Sequence, residues 1–230
     1  MNIIHQLLRE SLVFEILEDM LGEDYPASFN HEEFKAQQSF AARKRYCDEH
    51  LSKIASGTGR IVYKIDDEKV LKLAKNKKGL AQNEVEIDTS NDYYAEATVA
   101  RIFSYDENNL WVEMELARKV TDKNFEAATG IPWLIYIPAL KNEYVRVNGK
   151  SRGGWIQIQQ QTKTLPDSTM EMLYENEFFT NMADYMNTYN LPVADLVRLT
   201  SYGLVKRDGS DDIVMIDYGL TWDVYDSYYS

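Results

Sequence analysis

Apolar positions recur at helical spacing near both ends of the chain. Residues 2–21 carry one apolar stripe, which predicts an amphipathic helix that either packs on its own domain or docks a partner. A second helix is expected near 31–50. Residues 170–190 show the same spacing and stop before Pro192, so they also predict a helix.

The pattern changes to short strands in the middle of the chain. Residues 53–76 hold glycines and then two apolar runs on either side of Asp66 and Asp67, which predicts a β-hairpin preceded by a glycine loop. The next segments predict two helices and then an alternating strand: 77–88, 94–103 and 109–117.

The second half is predicted less uniformly. Residues 118–168 favour a mixture of helix and loop, interrupted by glycines. Residues 191–221 hold a turn at 207–209 between two apolar runs, which predicts a hairpin that ends at Asp217.

Composition narrows the function classes. A chain of 230 residues can form one large domain or two lobes, and its net charge of −12 argues against a general nucleic-acid binder. Its single cysteine, Cys47, excludes an internal disulfide and predicts a reducing, cytoplasmic setting. The N-terminus lacks the features of a signal peptide, and no stretch has the length of a membrane span.

Three features between residues 57 and 86 suit a phosphate site. Gly57 and Gly59 allow backbone N–H groups to approach phosphates, although a tight hairpin turn is the simpler interpretation. Lys72 interrupts an apolar strand, and lies either at a nucleotide cleft or on the exposed face. A buried Lys72 requires a carboxylate, for which Glu86 is preferred to Glu84 because it shares a face with apolar residues.

Asp217 follows the apolar run 213–216 and precedes Tyr218 and Gly219. An aspartate at the end of a strand can form a turn, and it can also bind Mg²⁺, which prefers oxygen ligands.

Taken in order, these motifs resemble the protein-kinase-like fold. The segments that carry the resemblance are ASGTGRIVYKI, VLKL, WVEMELA and IDYGL, in which Tyr218 replaces the usual phenylalanine. The resemblance spans residues 53–221. The stretches SYGLVKRDG and IDYGLT also look like small kinase-like proteins of tailed bacteriophages, which would place the protein in the host cytoplasm.

The resemblance implies an α+β fold with a small antiparallel-sheet N-lobe and a reduced helical C-lobe. The domains are then an N-terminal helical extension at 1–52, the N-lobe at 53–117, and the C-lobe with an acidic, Tyr-rich tail at 118–230. Backbone groups from Glu115 to Ala117 would form the hinge that meets adenine.

The resemblance also assigns chemical roles. Lys72 would hold ATP phosphates and pair with Glu86, Asp217 would bind Mg²⁺, the two loop glycines would cover the phosphates, and Asp195 would be the catalytic base. Arg198 and Lys206 are further cations near this site.

The departures from the family pattern leave the activity open. No His-Arg pair precedes Asp195, residues 200–202 replace the second metal-binding Asn, a third glycine is missing, and no activation segment follows before Ser230. The leading expectation is a divergent ATP/Mg-binding phosphotransferase. The alternatives are a pseudokinase-like interaction protein, which would use the N-terminal helix or the C-terminal tyrosines (Tyr218, Tyr225, Tyr228 and Tyr229) as partner surfaces, and a phage structural protein.

Overall fold

A computed structural model describes residues 26, 28–92, 95–148 and 164–229. The predicted helix at 2–21 lies outside these residues. The chain divides into two compact units, Met1–Leu51 and Ser52–Ser230.

The first unit contains two helices, α1 (His31–Lys35) and α2 (Phe40–His50). The side chains of Asn30 and Ser39 cap them by accepting hydrogen bonds from backbone N–H groups in their first turns. The prediction of one continuous helix near 31–50 is therefore wrong, because Ser39 begins a new helix within that segment.

Aromatic side chains form the core of the described part of this unit. Phe29 packs against Phe34 and Tyr46, with ring centroids 5.6 and 5.5 Å apart. Cys47 is fully buried beside them, and burial raises the pKa of its thiol to about 12.

The second unit begins with a sheet and continues with helices. Its described strands are β1 (Ser52–Ser56), β2 (Arg60–Lys64), β3 (Lys69–Ala74), β4 (Ile102–Tyr105), β5 (Trp111–Glu115), β6 (Arg118–Lys119), β7 (Tyr202–Arg207) and β8 (Ser210–Met215). Its described helices are α3 (Lys77–Ser90), α4 (Asp122–Thr129), α5 (Trp133–Asn148), α6 (Asp167–Tyr174), α7 (Glu177–Thr188), α8 (Val193–Leu196) and α9 (Trp222–Tyr228), with a 3₁₀ turn at Leu199–Ser201.

Five strands form an antiparallel sheet in the order β1-β2-β3-β5-β4. Strand β3 is central, and Lys72 lies opposite Val62 of β2 and Val112 of β5. Strand β3 is buried along most of its length, and α3 follows it and packs on it. The α+β fold class expected from the sequence is confirmed, as are the strands within 53–76 and 109–117 and the helix at 77–88.

The second sheet has the strand order β6-β7-β8. Ile216 and Asp217, which follow β8, line the cavity of the candidate site. The turn between β7 and β8 contains Asp208 and Gly209 with φ of 50° and 85°, which fits the predicted turn at 207–209. Below this sheet, helices α4, α5 and α7 enclose an aromatic core. In this core the hydroxyls of Tyr136 and Tyr202 lie 2.8 Å apart, and Tyr202 donates to the Leu196 carbonyl at 2.8 Å.

The helix predicted at 94–103 is wrong for the part that the structure describes. The backbone N–H of Ala100 donates to Met215, and that of Met215 donates to Thr98, both at 2.8 Å, so the chain is extended here and β4 starts at Ile102. Pairing with β8 therefore overrides the helical propensity of the alanines.

The helix predicted at 170–190 is two helices, α6 and α7. Asn176 separates them: its side chain caps α7 by accepting from the Phe179 N–H at 3.0 Å, and it donates to the Thr129 carbonyl at 2.9 Å. Residues 118–148 form β6, α4 and α5, which adds a short strand to the predicted helix and loop. Within the described ranges, none of the helices combines the length and apolar character needed to cross a membrane.

Candidate active site

An ion pair between Lys72 and Glu86 lies beneath the sheet. The Lys72 ammonium is 3.0 and 3.1 Å from the two oxygens of Glu86, and it also donates to the Ile216 carbonyl at 2.6 Å. Lys72 is 5% exposed and Glu86 is fully buried, whereas Glu84 is exposed. A lysine on the third strand paired with a glutamate on the following helix is the arrangement found in protein kinases.

Arg60 of β2 joins this pair. Its guanidinium contacts Glu86 through Nη1 and Asp217 through Nη2, each at 2.6 Å. Nη1 also donates to the amide oxygen of Asn83 at 3.3 Å. Arg60 therefore connects the central carboxylate of α3 to the carboxylate that follows β8.

The charges of this cluster influence each other through a buried, low-dielectric region. Burial lowers the pKa of Lys72, although Glu86 acts in the opposite direction. Burial also acts to lower the pKa of Arg60, but the carboxylates of Glu86 and Asp217 outweigh it and hold that pKa above its usual value. Arg60 consequently remains a fixed positive charge in the cleft.

In the segment after β8, the side chain of Asp217 is exposed in the cleft, whereas that of Tyr218 is buried. The Asp217 side chain is 64% exposed in the cleft. Tyr218 is buried, and its hydroxyl donates to the Ala100 carbonyl at 2.9 Å, which explains how a tyrosine fits where an apolar ring was expected. Tyr218 therefore cannot belong to an exposed, Tyr-rich partner surface, which corrects that part of the alternative interpretation.

Asp195 lies on the short helix α8, close enough to Asp217 to be influenced by its charge. Burial raises the pKa of Asp195, Arg198 at 3.2 Å opposes the rise, and Asp217 adds to it. Thr200 lines the cleft, whereas Tyr202 points into the aromatic core. Of the residues 200–202, only Thr200 lines the cavity.

The glycine segment forms a tight turn between β1 and β2. The N–H of Gly57 donates to the Arg60 carbonyl at 2.9 Å. The carbonyl of Gly59 accepts from the Lys75 N–H at 2.8 Å, and a Cβ on Gly79 would lie 2.1 Å from that same carbonyl oxygen. Close packing against the start of α3 is therefore a second physical reason for glycine here.

A cavity of about 380 Å³ opens between the glycine turn and the β5–β6 connection. Gly57, Gly59, Lys72 and Asp217 all line it, as does the predicted hinge from Glu115 to Ala117. Apolar side chains cover its inner part: Val62, Val70, Met114, Leu116 and Ile216. An apolar slot that leads to a group of cations suits a ligand with a flat base and phosphates.

The predicted hinge makes specific contacts within the protein. Its Leu116 N–H donates to the Glu68 carbonyl at 2.6 Å. The Glu115 carboxylate is turned away to Arg207, with an Nη2–Oε2 distance of 2.5 Å. Of the residues 115–117, Glu115 is thus fixed by its side chain, and it also lines the cavity.

The side chains of the cleft supply too few ligands for a metal ion unless the phosphates of a bound nucleotide also coordinate it. No cluster of three metal-ligating side chains occurs in the described residues. Asp217 offers an exposed carboxylate, but one of its oxygens already contacts Arg60. Mg²⁺ is commonly held by one or two carboxylates together with substrate phosphates, so Asp217 fits an ion that arrives with a nucleotide.

Sequence reasoning missed Arg60, although the alternation of β2 contained a signal. In the observed register Val62 lies opposite Lys72, and Arg60 lies two residues before Val62. Side chains two residues apart on a strand share a face of the sheet, so Arg60 must lie on the same face as Lys72. Its distance in sequence from Asp217 concealed their contact.

Solved structures with similar chain paths include three phosphotransferase or synthase complexes. The streptomycin–ATP ternary complex of APH(2")-IIa is 11% identical, with a TM-score of 0.33 over 80% of this chain and 72% of that chain. SAICAR-synthase from Saccharomyces cerevisiae, complexed with SAICAR, is 10% identical, with a TM-score of 0.32 over 75% and 74%. The GDP complex of wild-type aminoglycoside 2'-phosphotransferase-IIIa is 9% identical, with a TM-score of 0.31 over 80% and 73%.

No protein-family model and no curated protein matches the chain. The ligands in the solved structures are properties of those proteins, and the chemistry of this chain rests on its own cleft.

Proposed function

We propose that this protein binds ATP in the cleft between its two sheets and acts as a divergent kinase-like phosphotransferase. The observation that carries the proposal is the buried Lys72–Glu86 pair, which opens on a cavity that also contains Asp217. A cation held this way is poised for anionic oxygens, because Glu86 fixes its position.

Each part of the cleft has a role in this proposal. The apolar slot would receive adenine, the hinge backbone would meet its polar edge, and Lys72 would contact the phosphates. Asp217 would hold Mg²⁺, which supplies charge neutralisation at the transferred group. Asp195 would accept the proton of the attacking hydroxyl, a role favoured by its raised pKa.

A pseudokinase without turnover is the second candidate, and one contact favours it. Arg60 already forms an ion pair with Asp217. The residues around Asp195 also lack the asparagine that binds the second metal ion in active kinases. Such a protein would bind the nucleotide to hold a conformation. A separate phosphotransfer assay distinguishes it from an enzyme.

The test of nucleotide binding is thermal unfolding with and without Mg·ATP in the wild type and in Lys72→Met. At one hundred times its dissociation constant, ATP should stabilise the wild type by about 2.7 kcal/mol, or about 5–10 °C in Tm. Lys72→Met should lose most of this rise while remaining folded, because Arg60 still neutralises Glu86.

Lys69→Met is the matched control, since Lys69 lies on the same strand but faces the Phe103 ring. It should keep the full rise. If millimolar ATP leaves the Tm of the wild type unchanged, the nucleotide proposal is wrong. Where binding is found, transfer of labelled phosphate that Asp217→Asn abolishes would identify an enzyme, and its absence in the wild type would identify a pseudokinase.

A further inference from the structure

The cleft holds more buried positive charge than buried negative charge. Arg60 and Lys72 are both nearly inaccessible to solvent, and they share one buried carboxylate, Glu86. The remaining negative charge comes from Asp217, whose side chain is mostly exposed. If Asp217 turned to another cation, the buried cluster would carry a net charge of +1.

We propose that Arg60 is a resident cation that takes the place of a metal ion at Asp217, so that the cleft binds nucleotide phosphates with or without Mg²⁺. This inference rests on the proposed nucleotide site and specifies its metal requirement. It concerns binding; phosphoryl transfer would still use the metal.

The geometry of the guanidinium suits this role. One arm of Arg60 is anchored on Glu86, and the other reaches Asp217, each at 2.6 Å. A guanidinium has separate donors in a fixed fork, which match phosphate oxygens in pairs. The outer arm can therefore exchange Asp217 for a phosphate while the inner arm stays on Glu86.

A purely structural role for Arg60 explains less. Glu86 already has a cationic partner in Lys72, which contacts both of its oxygens. The second arm of Arg60 is directed at a carboxylate that borders the cavity and is mostly exposed. This second contact is what a phosphate or a metal ion would compete for.

The test compares the ATP affinity in Mg²⁺ with that in EDTA, by titration calorimetry, for the wild type and Arg60→Met. The wild-type affinity should differ less than about threefold between the two conditions. In EDTA, Arg60→Met should lose about 10–100-fold, the effect of a charge-assisted hydrogen-bond pair. In Mg²⁺ its loss should be at least about tenfold smaller, because the metal can then reach Asp217.

Lys64→Met is the matched control, because Lys64 lies on the same strand and pairs with the exposed Asp67. It should behave like the wild type in both conditions. Equal losses in Mg²⁺ and EDTA for Arg60→Met would show that Arg60 is only structural. A wild type whose affinity collapses in EDTA would show that binding requires the metal, which also contradicts the proposal.

Two further measurements test the role of Arg60 even if Arg60→Met does not fold or the cleft does not bind ATP. Asp217→Asn should bind ATP in EDTA at least as tightly as the wild type, because it removes the carboxylate that competes with the phosphates for Arg60; a loss above tenfold contradicts the proposal even if Arg60→Met does not fold. Inorganic tripolyphosphate is the second probe. If it binds in EDTA through Arg60 while ATP does not bind, the nucleotide proposal fails and the role of Arg60 stands. If neither binds, both fail.

Discussion

At the scale of single residues, Asp195 is a side chain whose environment disfavours its own charge. It is largely buried on a short helix, and the neighbouring Asp217 adds repulsion that Arg198 only partly offsets. A proton acceptor benefits from a raised pKa, while the folded protein is destabilised by a buried carboxylate.

Asp195→Asn should therefore increase stability while lowering any phosphoryl transfer. A group whose folded pKa is raised contributes stability below its unfolded pKa, near 3.9, and loses it as the pH rises through the folded value. The gain of Asp195→Asn over the wild type should thus grow above about pH 4 and then level off. Urea unfolding at several pH values measures this difference.

Asp184→Asn is the control for this measurement, because Asp184 is exposed on α7. Its stability difference should be small throughout. A pH-independent difference for Asp195→Asn would show that burial does not control this carboxyl. The same variant should lower any phosphoryl transfer by about 10²–10⁴-fold, the usual contribution of a general base.

At the scale of elements, the backbone of the glycine turn packs directly against the backbone of the first turn of helix α3. A Cβ on Gly79 would lie 2.1 Å from the Gly59 carbonyl oxygen, and a Cβ on Gly59 would lie 3.2 Å from the Gly79 backbone nitrogen. The Asn76 side chain adds a hydrogen bond to the Thr58 carbonyl at 3.1 Å. The position of the turn over the cavity is thus set by α3, which also carries Glu86.

Gly79→Ala tests this joint. In an ordinary helix the change would stabilise by about 1 kcal/mol. Here the added Cβ would lie 2.1 Å from the Gly59 carbonyl oxygen, so we expect a loss of about 1–3 kcal/mol in unfolding free energy and weaker ATP binding. Lys77→Ala, in the same turn but exposed, should be nearly neutral. A stabilised Gly79→Ala protein would contradict the close contact.

At the scale of the whole second unit, the segment that contains helix α9 contacts α5 at one end and α3 at the other. The indole N–H of Trp222 donates to the Tyr144 hydroxyl of α5 at 3.0 Å. At the other end, Lys78 of α3 lies 3.5 Å from the ring centre of Tyr229, and Tyr229 lines the cavity. The segment after Asp217 therefore returns across α3 and forms one wall of the candidate site.

Tyr229→Ala should open that wall. We expect the dissociation rate of a fluorescent ATP analogue to rise about two- to fivefold, as the loss of a contact of about 0.5–1 kcal/mol implies. Stopped-flow displacement measures it. Tyr228→Ala is the control, because Tyr228 is the neighbouring residue at the end of α9 and is exposed. Slower release from Tyr229→Ala would mean that Tyr229 obstructs the cleft.

The sequence by itself determined the elements whose pattern is local. An apolar run after a turn indicated β3, alternation indicated β5, the turn chemistry at 207–209 indicated the last hairpin, and the order of the motifs indicated a kinase-like α+β fold. It also selected Lys72, Glu86 and Asp217, because a charge within or after an apolar run requires a partner or a ligand. These inferences depend on neighbours along the chain.

Only the tertiary structure decided how distant charges meet. Arg60 and Asp217 are 157 positions apart, and no periodicity relates them, so their contact appears only when β2 and the end of β8 reach the same cleft. The same reason explains the failed helix at 94–103, where pairing with β8 outweighs local propensity. Local pattern indicated which charged residues stand within or after apolar strands, and long-range packing decided which of those charges share a site.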